Sequence, residues 1–173
     1  MMLRILCSAV IVFGFAYMGR LYAQREKSRL VQLNSFCDGL SMLEFNIRYM
    51  SFPMYEALKK AGECCTEPVK SVFDYSSVIL SGGAEYSSGE AFLKSVEENR
   101  NKITLSNDEI EILKSFAASL GKGDRESEIV NIQAAKTRLL ASSLEAGEEV
   151  GKRAKAAKGI STLIGIFIVI VLF

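Results

Sequence analysis

Histidine is absent from the 173 residues. Its absence removes His-assisted nucleophiles, His proton shuttles and His-ligated metals in one step. Cysteine is sparse: the four residues include no C-x-x-C pair for zinc or dithiol exchange. Cys7 lies in an apolar stretch and Cys37 on an expected helix, while Cys64 and Cys65 are neighbours in a short connection. The plain reading of that pair is two small, partly buried residues beside a turn; the sharper one is an oxidation sensor. No G-x-x-x-x-G-K-[ST] phosphate loop occurs. Gly82-Gly83 and Gly121-Lys122-Gly123 come nearest, and both fit helix ends better. The carboxylate pairs Glu97-Glu98 and Glu148-Glu149 are adjacent on expected helices, so their side chains point to different angles and read as solvated faces. The expectation is a protein without catalytic residues, cofactor or metal, and not an enzyme.

What the chain does have is an apolar stretch at each end, with basic residues on the inward flanks. Leu3 to Gly19 is apolar apart from Arg4 and Ser8, and is followed by Arg20, Arg25, Lys27 and Arg29. Gly159 to Phe173 is apolar apart from Ser161 and Thr162, and is preceded by Lys152, Arg153, Lys155 and Lys158. As helices they would span roughly 25 and 22 Å, short of a hydrocarbon core about 30 Å thick. Snorkelling by Arg4, Arg20 and Lys158, with local bilayer thinning, covers part of the deficit. Cytoplasmic flanks of membrane helices carry excess Lys and Arg, so both collars place the middle of the chain in the cytoplasm. The division expected is an N-terminal transmembrane helix over 1–19, a cytoplasmic helical bundle over 20–158 and a C-terminal transmembrane helix over 159–173.

Each end has a rival reading. The first stretch also fits a cleavable signal peptide, but Leu21 stands where a small residue is wanted before Ala23, and the basic run opposes export. The second would suit a buried core helix, but it is apolar on every face and lacks a polar stripe.

Charge is segregated. Residues 30–151 hold 12 Lys and Arg against 19 Asp and Glu, a net −7, although the whole chain is at +1. An acidic body argues against nucleic acid as a partner, which needs a clustered basic face. The collars read as membrane orientation.

Every segment with a clear period reads as a helix. Leu30, Leu33, Phe36, Cys37, Leu40, Leu43, Ile47 and Met50 form one apolar stripe on a helix leaving the membrane, either core or interface. Pro53 stops that helix and opens a second, with Tyr55 and Leu58 facing inward. A third begins near Thr66 as cap, with Pro68 in its first turn, buries Val69, Val72, Phe73, Ile79 and Leu80, and ends at Gly82-Gly83. Ser87 with Glu90, and Ser106 with Glu109, have capping-box spacing and open a fourth and a fifth helix. Phe92 and Val96 face inward on the fourth; Ile110, Leu113, Phe116, Ala117 and Leu120 do so on the fifth. Asp124 caps a last, long helix carrying Ile129, Ile132, Leu139, Leu140, Leu144 and Val150. The fold class expected is all-α, an antiparallel bundle of about six helices with a transmembrane helix at each end.

The run Ile112 to Glu126 resembles the stage III sporulation protein AB family: Phe116, the Leu120-Gly121 pair and Asp124 stand at the family's spacing, entering a long C-terminal helix. The resemblance extends to the short N-terminal anchor, the Leu-rich first helix, the segment Pro53 to Leu58, and Glu90-Ala91-Phe92 after Ser88-Gly89. Family members often carry Gln four residues after the aspartate; here Glu128 takes that place. The resemblance implies a fold akin to the cytoplasmic domains of type II secretion F-type platform proteins. It also implies membership in the complex that links mother cell and forespore during sporulation. The expected partners are therefore the membrane and other stage III subunits, with a secretion-type ATPase and an oligomer among the candidates. The expected place is the mother-cell side of the cell membrane, the soluble domain facing the cytoplasm. The residues most suited to a partner contact are Gly121, Gly123, Asp124, Arg125 and Glu128, an elbow between two helices whose plain reading is a helix stop followed by a cap. A second reading from another class is a membrane-bound regulatory module controlling a cytoplasmic partner, with Cys64-Cys65 as its switch.

Overall fold

The computed structural model describes the backbone of residues 2–83 and 86–172, and the side chains of residues 23–83 and 86–152. Six α-helices follow in order: α1 Met2–Phe45, α2 Met54–Glu63, α3 Val69–Ser81, α4 Ser88–Glu98, α5 Asn107–Ser119 and α6 Arg125–Leu172. A π-helical turn, Asn46–Met50, succeeds α1. Among the described residues there is no strand. The chain forms two compact units, residues 29–144 and residues 1–28 with 145–173. The apolar runs Leu3–Gly19 and Gly159–Phe173, expected to be transmembrane, lie outside the described side chains. No helix among the described residues is long and apolar enough to cross a membrane.

Within residues 29–144, α2 packs on α3, α3 on α4 and α4 on α5. The sequence stripes meet in one core: Leu33, Phe36, Leu40 and Leu43 of α1, Leu58 of α2, Phe73 of α3, Phe92 of α4, Leu113 of α5 and Ile132 and Leu139 of α6 are all fully buried. Four phenylalanines link four helices. Phe36 meets Phe73 at 6.2 Å between ring centroids, Phe73 meets Phe92 at 5.6 Å, and Phe92 meets Phe116 at 5.2 Å. The last two pairs are edge-to-face, the arrangement the ring quadrupole favours, worth about 0.5–1.5 kcal/mol each beyond burial.

Both capping boxes form as their spacing predicts. The Ser87 N–H donates to Glu90 Oε2 at 2.8 Å, and Glu90 N–H donates to Ser87 Oγ at 3.3 Å. The Ser106 N–H donates to Glu109 Oε2 at 2.7 Å, with Glu109 N–H to Ser106 Oγ at 3.3 Å.

Four local expectations are met differently. Of the two residues expected to face inward on α2, Leu58 is fully buried but Tyr55 is 42 % exposed, because the buried face of α2 is Ala57, Leu58, Ala61 and Gly62. The third helix starts at Val69 with Pro68 at its cap position and no side-chain cap. Thr66 instead contributes its carbonyl to Lys70 N–H at 3.0 Å, while its own N–H donates to Ser35 Oγ at 2.8 Å. Met50 is 47 % exposed because the π-helical turn closes i to i+5 and rotates Met50 off the α1 stripe. On α6, Ile129, Ile132 and Leu139 are buried, whereas Leu140 and Leu144 are exposed. At about 100° per residue, Leu140 and Leu144 lie roughly 100° and 140° around the axis from Leu139, outside a single core-facing stripe.

Candidate interaction site

The elbow between α5 and α6 is built by one side chain. Leu120, fully buried, closes α5, and Gly121 comes next with φ 77°, a conformation side chains with a Cβ rarely adopt. A Cβ there would also press on Ser88, at 2.8 Å from its Oγ. Nearby, a Cβ on Gly89 would be driven into the Ala117 carbonyl, so α4 and α5 approach here only because position 89 is bare. Glu128, one turn into α6 and 4 % exposed, reaches back across the elbow. Its Oε1 accepts the N–H groups of Gly121 at 2.8 Å, Lys122 at 3.1 Å and Gly123 at 3.2 Å. Three successive N–H groups converging on one oxygen form an anion-holding nest, filled here from within the chain. Its second oxygen, Oε2, is buried with no hydrogen-bond partner.

Asp124 caps α6 as expected: Ser127 N–H donates to its Oδ1 at 3.0 Å. Bonds from the Ser127 side chain and backbone hold the Asp124 carboxyl below the usual carboxylate range. Arg125 is exposed and donates to Ser51 Oγ, tying the start of α6 to the end of the π-helical turn. Gly121, Gly123, Asp124 and Arg125 thus lie together on an exposed elbow, with Glu128 as the buried pin beneath them. The work Glu128 does at Oε1 is that of an acceptor, a place the amide oxygen of a glutamine can also take.

The collar residues divide. Arg25 and Lys27 are exposed, and Lys152 is exposed with its Nζ 3.4 Å from Glu148 Oε2. Arg20, Arg153, Lys155 and Lys158 lie outside the described side chains. Arg29 has a further commitment: its Nη2 donates to Glu109 Oε1 at 2.6 Å and its Nε bonds both carboxylate oxygens, at 3.0 and 3.2 Å. Glu109, 1 % exposed, therefore serves the α5 cap and the α1–α5 ion pair at once. The Ser106–Glu109 spacing predicts the cap; nothing in the sequence pairs Glu109 with a residue 80 positions earlier.

Gln32 is equally silent in the sequence. Its Oε1 accepts Thr104 N–H at 2.8 Å and orders the connection before α5.

Among the described residues no group of three or more Cys, Asp or Glu is placed to hold a metal ion. A cleft of about 440 Å³ between α4 and α5 has Val96 and Ile110 in its wall. On its rim, Lys114 pairs with Glu111 at 2.9 Å, and Arg100 donates to Leu105 O and Asn107 Oδ1. Cys65 is buried and burial pushes its thiol up to about 12, against a weaker opposing bond from Ser35, while Cys64 beside it is exposed.

The molecule is therefore an all-helical protein whose candidate site, among the described residues, is the exposed elbow after α5. The model of the stage III sporulation protein AB family matches residues 4–173, and the chain belongs to that family. Stage III sporulation protein AB of Bacillus subtilis (strain 168) is 29 % identical over 171 residues, covering 99 % of each chain. A solved structure of stage III sporulation protein AB superposes with a TM-score of 0.67 at 29 % identity, covering 72 % of this chain and 97 % of that one.

Proposed function

We propose that this chain is a non-enzymatic assembly component of the sporulation complex that links mother cell and forespore, acting as a scaffold like a secretion platform. Residues 1–19 and 159–173 anchor it in the mother-cell membrane, and the collars of Arg and Lys keep the body in the cytoplasm. There α2 to α5 form an antiparallel bundle between the long helices α1 and α6. The bundle contacts other stage III subunits, a secretion-type ATPase among them, through the exposed elbow at Gly121 to Arg125.

The observation that carries this reading is the family match, which runs almost from end to end of the chain. A surface elbow pinned by Glu128, with no convergent nucleophile or acid–base pair in the described body, supports it. The regulatory reading through Cys64-Cys65 is weaker. A thiol held at about 12 stays protonated at ordinary pH and is a poor nucleophile for forming a disulfide.

The test is co-isolation. Full-length chain from gently solubilised membranes of sporulating cells is expected to come out with other stage III subunits. Recovery only as an isolated monomer contradicts the reading.

A further inference from the structure

The end of α1 departs from the winding that its own residues favour. Leu43, Ile47 and Met50 recur at helical spacing, so an unbroken α-helix would carry Met50 to the side on which Leu43 is fully buried. Instead Asn46–Met50 winds as a π-helical turn, and Met50 stands exposed. The turn runs into Ser51 at φ 53°, the left-handed region that a side chain with a Cβ enters only under strain. π-Helical turns are rare and collect at functional sites, and a left-handed non-glycine residue persists only where its surroundings over-determine it.

Two sets of contacts from α6 supply those surroundings. Past the end of the turn, Arg125 donates through Nη2 to Ser51 Oγ. At its start, Glu44 is a hub: it accepts from Arg48 of the turn at 3.1 Å, and from Gln133 and Lys136 of α6 at 2.7 and 3.1 Å. One further bond comes from within, where buried Asn46 donates through Nδ2 to Ala57 O of α2 at 3.3 Å.

We propose that the turn is a two-state joint held in its π form by α6. While Arg125 and the Glu44 hub are engaged, Tyr49 and Met50 are presented at the surface. When α6 lets go, the segment rewinds as α-helix and Met50 turns inward. Rewinding exchanges i to i+5 bonds for i to i+4 bonds, so the backbone stays bonded throughout. Arg125 also belongs to the exposed elbow, so a partner that engages the elbow and draws Arg125 off Ser51 moves the joint. Such coupling is reciprocal: whatever favours the π form also keeps Arg125 on Ser51. The link to a partner rests on the assembly reading; the joint itself does not.

The test is thiol labelling of the purified full chain in detergent, carrying Met50→Cys, with each labelled position read by peptide mass spectrometry. Exposed Cys64 reports the general labelling rate, and buried Cys37 and Cys65 report unfolding. Adding Glu44→Ala with Arg125→Ala is expected to slow labelling at position 50 by about fivefold or more, the lower end of ordinary coupling between sites, and to leave Cys64 unchanged. Amide hydrogen exchange over residues 46–51 is expected to stay protected in that variant, because a rewound turn keeps its bonds and a frayed one does not. If Cys37 or Cys65 becomes labelled, the single Arg125→Ala variant is read in its place, with the same direction expected. An unchanged or faster rate at position 50 overturns the proposal, as does lost protection over 46–51. If other stage III subunits co-isolate while the labelling result fails, only the joint falls; an isolated monomer ends the assembly reading and leaves the joint to its own test.

Discussion

The protein places aromatic side chains in two opposite settings. Phe36, Phe73, Phe92 and Phe116 sit at 3 % exposure or less and join α1, α3, α4 and α5 through ring contacts. Phe45, Tyr49 and Tyr55 stand 42 % exposed or more on the same body, in and around a π-helical turn. Ring chemistry is shared, so what separates the two groups is the backbone beneath them. A regular helix repeats every 3.6 residues and delivers its apolar stripe to the core. The π-helical turn breaks that repeat and hands Tyr49 and Met50 to the surface. Core packing and surface exposure are thereby assigned to different residues of one body, and variants should separate them.

The largest effect belongs to the interior. Phe92→Ala removes a ring that contacts both Phe73 and Phe116, and should cost about 3–5 kcal/mol in equilibrium chemical unfolding. A loss under about 1 kcal/mol would mean that the phenylalanine series is not the core's centre. Next comes Glu109→Ala, which deletes the α5 cap and strands Arg29. Arg29 is 24 % exposed and regains some water, so roughly 2–3 kcal/mol is expected, less than a fully buried pair would lose.

Glu128 distinguishes acceptor from charge. Glu128→Ala leaves three elbow N–H groups without their acceptor and should cost about 1–3 kcal/mol, whereas Glu128→Gln keeps the acceptor and should cost less in the same unfolding assay. Equal losses in both variants would show that the negative charge, not the acceptor, orders the turn.

Acid titration gives a smaller, signed effect. Glu44 and Asp124 both have folded carboxyls held below their ordinary range. Their contribution is therefore fully present above the ordinary carboxylate value and is lost as pH falls through the lower folded-state value. Thermal melts across that acidic window should show the parent losing more stability than an Asp124→Asn variant, in which the titrating group is gone.

Three helix starts with a chemical signature form where the residues predict them, Ser87 with Glu90, Ser106 with Glu109, and Asp124 over Ser127, whereas the lone Thr66 hydroxyl caps nothing. The elbow is equally readable, since Gly121 and Gly123 flank a turn that a cap closes. Contacts between residues far apart in the chain are not. Arg29 looks like one more collar cation, yet Glu109, 80 residues on, holds it. Glu128 stands out only by its place beside the elbow; its role as the pin is hidden, because its three partners are backbone groups that carry no sequence signal. Leu140 and Leu144 read as core when every apolar residue of α6 is counted, although the helix turn angle carries both off the buried side. The π-helical turn has no residue signature, so Met50 reads as inward-facing and is exposed; Tyr55 is exposed because α2 turns Ala57, Leu58 and Ala61 inward instead.

The most direct measurement pairs fold and function in one variant at the elbow, Lys122→Glu, expressed as the full chain in place of the parent. Lys122 is exposed, so the unfolding free energy should stay within about 0.5 kcal/mol of the parent. The account predicts that the intact variant, at normal levels, comes out of gently solubilised membranes of sporulating cells with at least tenfold less of the other stage III subunits. Parental co-isolation would contradict it.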